Sequence, residues 1–93
     1  MIEYKWPLMK LHKYGFVGPL NTVNNTVTEE IYLNVKGIFR FEKSHIYCQQ
    51  DKTRYPATKI LMDEYVSKYE PKKVIFVEES AEEIYKTFGE IAE

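Results

Sequence analysis

Residues 74–91, VIFVEESAEEIYKTFGEI, join an apolar run directly to a segment with a helical repeat. The run VIFV has the β-branched and aromatic composition of a buried strand. Ser80 precedes Glu83 by three residues, which is the spacing of a capping box at the first turn of a helix. We therefore expect an amphipathic helix over about residues 81–92, lying across a sheet, with an apolar stripe at steps of three and four residues: Ala81, Ile84, Tyr85, Phe88 and Ile91.

The first half of the chain predicts strands separated by one long loop. The alternating segment LMKLHKY (8–14) is the first strand. Residues 16–30 contain glycine, proline and three asparagines, which indicates a flexible loop. Two short strands, IYLN (31–34) and IFRF (38–41), then follow. We expect a tight turn or bulge between them at residues 34–37, because Asn and Gly adopt positive φ most readily.

The second half adds two more strands before the helix. HIYCQ (45–49) either extends the preceding strand or begins a hairpin arm, and the polar QQDKTRYP (49–56) is predicted to be a connection. ATKILM (57–62) and KKVIFV (72–77) are β-type runs. Between them, DEYVSKYEP (63–71) forms either a helical turn or a long hairpin loop.

The length and composition predict a single domain over residues 1–93. A chain of 93 residues buries only roughly two thirds of the surface that its unfolded form exposes, so the core is modest. Hydrophobic residues make up 44% of the chain, and their many aromatic rings favour strands over disorder. The predicted fold is α+β but mostly β: a small antiparallel meander of about four or five strands, with barrel-like closure as an option, and one C-terminal amphipathic helix packed on it.

Cysteine usage and charge indicate where the protein acts. No stretch approaches the roughly 20 apolar residues of a membrane-spanning helix, so we expect a cytoplasmic protein without a membrane partner. Cys48 is the single cysteine, which excludes an intrachain disulfide. Residues 1–73 carry twelve Lys and Arg against eight Asp and Glu, whereas residues 74–93 carry one Lys against six Glu. This asymmetry permits head-to-tail association or an anionic ligand, although two solvated faces are the simpler explanation.

Three spaced motifs resemble a known family: IYLNVKGI (31–38), TKILM (58–62) and VIFVEESAEEI (74–84). They are similar to segments of the small flagellar FlbD-type proteins and of related short proteins from bacteria and phages. The resemblance covers roughly half of the chain. It implies a small β-rich protein that ends in a helix, has no known catalytic residue and acts through protein–protein contacts. The related phage proteins make a phage or mobile-element gene as compatible with this pattern as a flagellar one.

Two residue groups could suggest chemistry, but simpler roles explain them. Paired glutamates in VEESAEEI could bind a hard cation or do acid/base work only if they converged in a pocket. Capping and the positive end of the helix dipole account for Glu82 and Glu83, and Glu79 comes before the cap. His45 and Cys48, with one further histidine in the chain, supply fewer than the four ligands of a structural zinc site. We expect neither a catalytic residue nor a metal site.

Basic and aromatic residues interleave in YCQQDKTRYPATK (47–59). Such a mixture suits phosphates and stacked rings, and it makes five residues the candidate ligand site: Tyr47, Lys52, Arg54, Tyr55 and Lys59. A solvated loop beside strand tyrosines explains the same residues. Nucleic acid is not expected, because the whole domain lacks the positive charge of nucleic-acid binders.

Tyr4, Trp6 and Phe16 are the candidate interface residues. They could form an exposed aromatic patch for self-association, although core packing is the more frequent fate of such residues. The sequence has no Gly-rich phosphate loop and no recognisable hydrolase motif, so we expect neither an enzyme nor a cofactor. The predicted function is a non-catalytic interaction module that binds its own copies or another protein. The alternative is a homo-oligomeric binder of a nucleotide or other phosphate-bearing ligand that sequesters or inhibits a host factor.

Overall fold

The computed structural model describes residues 2–62 and 73–91, which form one sheet and one helix. The strands are β1 (Tyr4–Lys5), β2 (Leu8–Tyr14), β3 (Thr22–Val23), β4 (Thr28–Asn34), β5 (Ile38–Cys48), β6 (Thr53–Met62) and β7 (Lys73–Val77). The helix α1 is Ala81–Ile91, and short 3-10 turns cover Pro19–Asn21 and Val35–Gly37. The prediction of an α+β, mostly β fold with a C-terminal helix is confirmed.

The sheet is only partly a meander. Strands β5, β6 and β7 follow one another as antiparallel neighbours. Strand β7 then pairs with β2 at Val77 and Lys13, and β2 pairs along its whole length with β4. Strand β3 lies parallel to the end of β5. The described sheet has seven strands rather than four or five, and it is open, so barrel-like closure is not shown.

The turn at residues 34–37 redirects the chain instead of closing a hairpin. Strand β4 pairs with β2, whereas β5 pairs with β6, so the strands on either side of the turn are not partners. The Asn34 side chain accepts the backbone N–H of Lys36 at 2.9 Å and stabilises a 3-10 turn. The predicted tight turn at residues 34–37 is present as this 3-10 turn, and no described glycine has positive φ.

Two predicted connections contain strand residues. Strand β3 and the first residues of β4 lie inside the predicted loop 16–30. Strand β6 begins at Thr53, so the connection from β5 covers only residues 49–52. Pro56 is tolerated within β6 because β7 pairs with β6 only from Thr58 onward, so the missing N–H faces no described neighbour there. The predicted turn or loop at residues 63–71 lies outside the described residues.

Both faces of the sheet carry buried apolar side chains. On one face, α1 covers a cluster in which Ile84 is fully buried and the Phe88 ring stacks on Phe41 with centroids 5.6 Å apart. On the other face, the segment between β2 and β4 covers a second cluster: Tyr14, Val23, Ile46, Cys48, Ala57 and Phe76. The helix and the β2–β4 segment therefore lie on opposite faces of one sheet.

The strand-to-helix junction is as the sequence predicts. Strand β7 ends at Val77, and the Ser80 hydroxyl accepts the Glu83 backbone N–H at 3.1 Å. The expected apolar stripe is correct at Ile84 but wrong at Tyr85, which is 74% exposed. Tyr85 follows Ile84 by one residue, and one helical step of about 100° carries its side chain away from the sheet.

Candidate functional site

The predicted ligand residues do not share one face of the sheet. Tyr47 and Arg54 are cross-strand partners on β5 and β6, and Lys52 lies in the turn between these strands. Successive residues of a strand point to opposite faces, so Tyr55 and Lys59 lie on the face opposite Arg54. The structure therefore brings Tyr47 together with Arg54, and it separates this pair from Tyr55 and Lys59.

Tyr55 and Lys59 also have partners already. The Tyr55 hydroxyl donates a hydrogen bond to the Asp51 carboxylate, which lowers the pKa of Asp51 and raises the pKa of Tyr55. The Lys59 Nζ lies 4.0 Å from a carboxylate oxygen of Glu42. The hypothesis of a phosphate-bearing ligand at these residues stays a prediction, and no observed geometry adds support to it.

The predicted interface aromatics are exposed rather than packed in the core. Tyr4 is 42%, Trp6 56% and Phe16 88% exposed. The Lys36 Nζ lies 5.6 Å from the Trp6 ring centroid, a cation–π contact. Trp6 precedes β2 and Phe16 follows it, and seven strand residues span about 20 Å. Phe16 therefore cannot form one patch with Trp6.

A shallow cleft of about 220 Å³ lies beside β1, β2 and β4, and it is lined by Glu3, Tyr4, Lys5, Leu8, Lys10 and Tyr32. Leu8 pairs with Asn34 and Lys10 with Tyr32, so Leu8 and Tyr32 are diagonal neighbours on one face. Leu8 is 39% and Tyr32 66% exposed. Trp6 lies in the turn between Lys5 and Leu8, and we refer to Tyr4, Trp6, Leu8 and Tyr32 as the β1–β4 surface.

Sequence reasoning missed Leu8 and Tyr32 because each lies in a strand of ordinary alternating pattern. Their neighbours Met9 and Leu33 are buried, and strand alternation then places Leu8 and Tyr32 on the outward face. What the pattern does not show is that β2 and β4 are partners, because their register follows from tertiary packing.

A larger cleft of about 400 Å³ lies where β2 meets the β7–α1 junction, and it is lined by Ile2, Glu3, Lys10, His12, Glu78, Glu79 and Glu83. At its centre, both the backbone and the ring of His12 contact the Glu79 carboxylate. The His12 backbone N–H donates to Glu79 Oε1 at 2.8 Å, and the ring Nδ1 lies 2.7 Å from Oε2. The hydrogen bond to Glu79 raises the pKa of His12, with further contributions from Glu78 and Glu30.

Further contacts hold this junction in place. The Thr58 hydroxyl, which is fully buried, donates to the Glu79 backbone carbonyl at 2.6 Å. The Glu78 N–H donates to the His12 carbonyl at 2.9 Å. The Glu79 side chain is only 12% exposed. Glu79 was expected merely to precede the helix cap, but it connects β2 to the start of α1.

The same three side chains bring metal-ligating atoms together. His12 Nδ1 and one carboxylate oxygen each from Glu78 and Glu79 lie within 4.8 Å of one another. Sequence reasoning did not associate them, since His12 and Glu79 are 67 residues apart. Glu82, in contrast, points elsewhere and forms an exposed ion pair with Lys43.

His45 and Cys48 do not share a face of β5. His45 is exposed and Cys48 is buried, and their spacing on β5 places them on opposite faces of the strand. They cannot supply ligands to one common site.

Neither a protein-family model, nor a curated protein, nor a solved structure matches this chain. The resemblance to FlbD-type proteins, and with it a flagellar or phage context, therefore stays a prediction. Within the part of the chain that the structure describes, no helix combines the length and the apolar character needed to cross a membrane.

Proposed function

We propose that this protein is a non-catalytic interaction module that binds a second copy of itself through the β1–β4 surface. One observation carries the proposal: Tyr4, Leu8 and Tyr32 line one cleft and are 39–66% exposed, and Trp6, in the turn between β1 and β2, is 56% exposed. Exposed apolar patches rimmed by polar residues mark interaction sites, and aromatic side chains are enriched at them. The charged rim is provided by Glu3, Lys5 and Lys10.

The charges at the rim favour self-association. Glu3 and Lys5 carry opposite signs on either side of Tyr4. A two-fold interface places the same patch of both copies together, so Lys5 of one copy can lie beside Glu3 of the other. A patch with both signs can thus complement itself.

The free edge of strand β4, among the described strands, is a second feature that favours self-association. Among the described strands, β4 pairs only with β2, so its other edge can accept a partner strand. In an antiparallel pairing of two β4 strands centred on Ile31, Glu30 faces Tyr32 of the other copy rather than a second glutamate. Such a register avoids like charges directly opposite each other.

The size of the surface predicts weak association. Aromatic side chains present about 150–250 Å² each, so four large side chains that are about half exposed offer about 400 Å² per copy. A standard interface uses about 800 Å² per partner. We therefore expect a monomer–dimer equilibrium in the micromolar to millimolar range rather than an obligate dimer.

Light scattering on the full chain tests this proposal. The mass of the native protein should rise above 11.1 kDa as its concentration approaches about 1 mM. The double variant Trp6→Ala, Tyr32→Ser should stay at the monomer mass. Tyr85→Ser is the matched control, because Tyr85 is 74% exposed on α1, outside the β1–β4 surface. A native protein that stays at the monomer mass contradicts self-association, and an equal loss in the Tyr85→Ser variant contradicts the location.

A further inference from the structure

We infer that His12, Glu78 and Glu79 form a binding site for one divalent transition-metal ion of the Zn²⁺ class. The inference concerns the larger cleft and is independent of self-association through the β1–β4 surface. It rests on the identity of the three donors, on their convergence and on the way the fold holds two of them.

The donor set selects the class of ion. An imidazole nitrogen with carboxylate oxygens suits Zn²⁺, Co²⁺ and similar ions, whereas Mg²⁺ and Ca²⁺ prefer oxygen ligands throughout. Three protein ligands leave one or more positions for water, and the cleft of about 400 Å³ gives water access to them.

The distances are close to those of a metal centre. Two ligands about 2.1 Å from one ion lie about 3.0–3.4 Å apart. His12 Nδ1 lies 2.7 Å from Glu79 Oε2 and 3.7 Å from Glu78 Oε1, so shifts of a few tenths of an ångström bring these pairs into range. The Glu78 side chain is 47% exposed, which leaves it free to move toward the ion.

The fold already orients Glu79 as a ligand. Its Oε1 accepts the His12 backbone N–H, so Oε2 is the oxygen left to bind an ion. Its backbone carbonyl accepts the buried Thr58 hydroxyl, which holds the residue from the other side. Hydrogen bonds of this kind around a metal ligand fix its orientation and raise metal affinity.

The charge of the cleft also favours a cation. Lys10 lies 3.6 Å from Glu3 and 3.2 Å from Glu30, so its positive charge is shared between those two carboxylates. Glu78 and Glu79 share His12 as their neighbouring basic group. An ion bound there replaces the proton between His12 Nδ1 and Glu79 Oε2 and places two positive charges beside the two carboxylates.

Calorimetric titration of the chelator-treated full chain with Zn²⁺ tests the site, at about 20 µM protein. We expect one Zn²⁺ per chain, with affinity at least about tenfold lower in the Glu78→Gln and His12→Gln variants. Glu82→Gln, at the same helix start but paired with Lys43, is the matched control and should bind like the native chain. If His12→Gln fails to fold, the comparison of Glu78→Gln with the native chain decides the result. Glu78 is half exposed, so its replacement should leave the fold intact.

The histidine NMR signals provide a second readout. Zn²⁺ should shift the ring signals of His12 and leave those of the exposed His45 in place. The inference is overturned if Zn²⁺ does not bind at about 100 µM, if Glu78→Gln binds as tightly as the native chain, or if the His45 signals move instead. It is also overturned if an equal concentration of Mg²⁺ displaces Zn²⁺, since that indicates only diffuse attraction to acidic groups.

Discussion

Tyr55 and Asp51 link the beginning of β6 to the turn that precedes it. Asp51 accepts the Thr53 backbone N–H at 3.0 Å in addition to the Tyr55 hydroxyl, and these hydrogen bonds favour the ionised carboxylate. The Tyr55 contact is the main reason that the pKa of Asp51 lies below its ordinary value of 3.8. The folded state therefore gains stability from this group above pH 3.8 and loses it as the pH falls through the lower, folded-state pKa.

Replacing Tyr55 with phenylalanine should weaken this acid dependence. We expect Tyr55→Phe to lower the free energy of unfolding more at about pH 6 than at about pH 2.5, because the stabilisation from ionised Asp51 declines as the pH falls below 3.8. Urea titrations at both pH values measure the difference. Tyr85→Phe, at an exposed position on α1, should show no such pH dependence. Equal losses for Tyr55→Phe at both pH values would count against the role of this pair.

Ser80 contributes to stability as the cap of α1. Ser80→Ala removes the oxygen that accepts the Glu83 N–H, and we expect it to lower the free energy of unfolding by about 1 kcal/mol. Glu82→Gln loses only an exposed ion pair with Lys43 and should cost clearly less. Urea unfolding of both variants near neutral pH checks the order, and a larger effect of Glu82→Gln would contradict it.

The packing of α1 on the sheet can be tested at two adjacent positions. Ile84 is fully buried and Tyr85 is 74% exposed. We expect Ile84→Ala to cost about 2–5 kcal/mol through lost burial and the cavity left behind. Tyr85→Ala should stay within about 0.5 kcal/mol of the native protein. Similar losses at the two positions in denaturant titrations would mean that α1 does not pack by the Ile84 face.

Local patterns predict some elements and miss others for identifiable reasons. Strand β2 matches its predicted bounds, and α1 begins where the cap predicts, because each carries its own periodic signal. The polar start of β4 carries no such periodic signal. Glu29 and Glu30 are stabilised in the strand by cross-strand ion pairs, at 3.7 Å to Lys13 and 3.2 Å to Lys10. That stabilisation exists only once β2 lies alongside β4, so composition alone indicates a loop.

For the molecule as a whole, the pairing of strands that are distant in the sequence decides which side chains meet, and the sequence alone does not show this pairing. The stretch 47–59 mixes basic and aromatic side chains along the sequence, but β6 begins at Thr53 and alternation divides its side chains between two faces. His12 and Glu79 meet because β2 and β7 are neighbours in the sheet. Tyr4 and Trp6, which the sequence offers as candidate interface residues, are exposed, whereas Tyr32 comes near Leu8 only through the register of β2 and β4.

The central claim, self-association through the β1–β4 surface, is tested most directly by ¹⁵N–¹H NMR spectra of the full chain at about 50 µM and about 1 mM. The expected result is a set of signals that move with concentration and belong to β1, the beginning of β2 and β4, with Trp6 and Tyr32 among them. Spectra that do not change with concentration would contradict the claim, as would changes confined to residues 16–27.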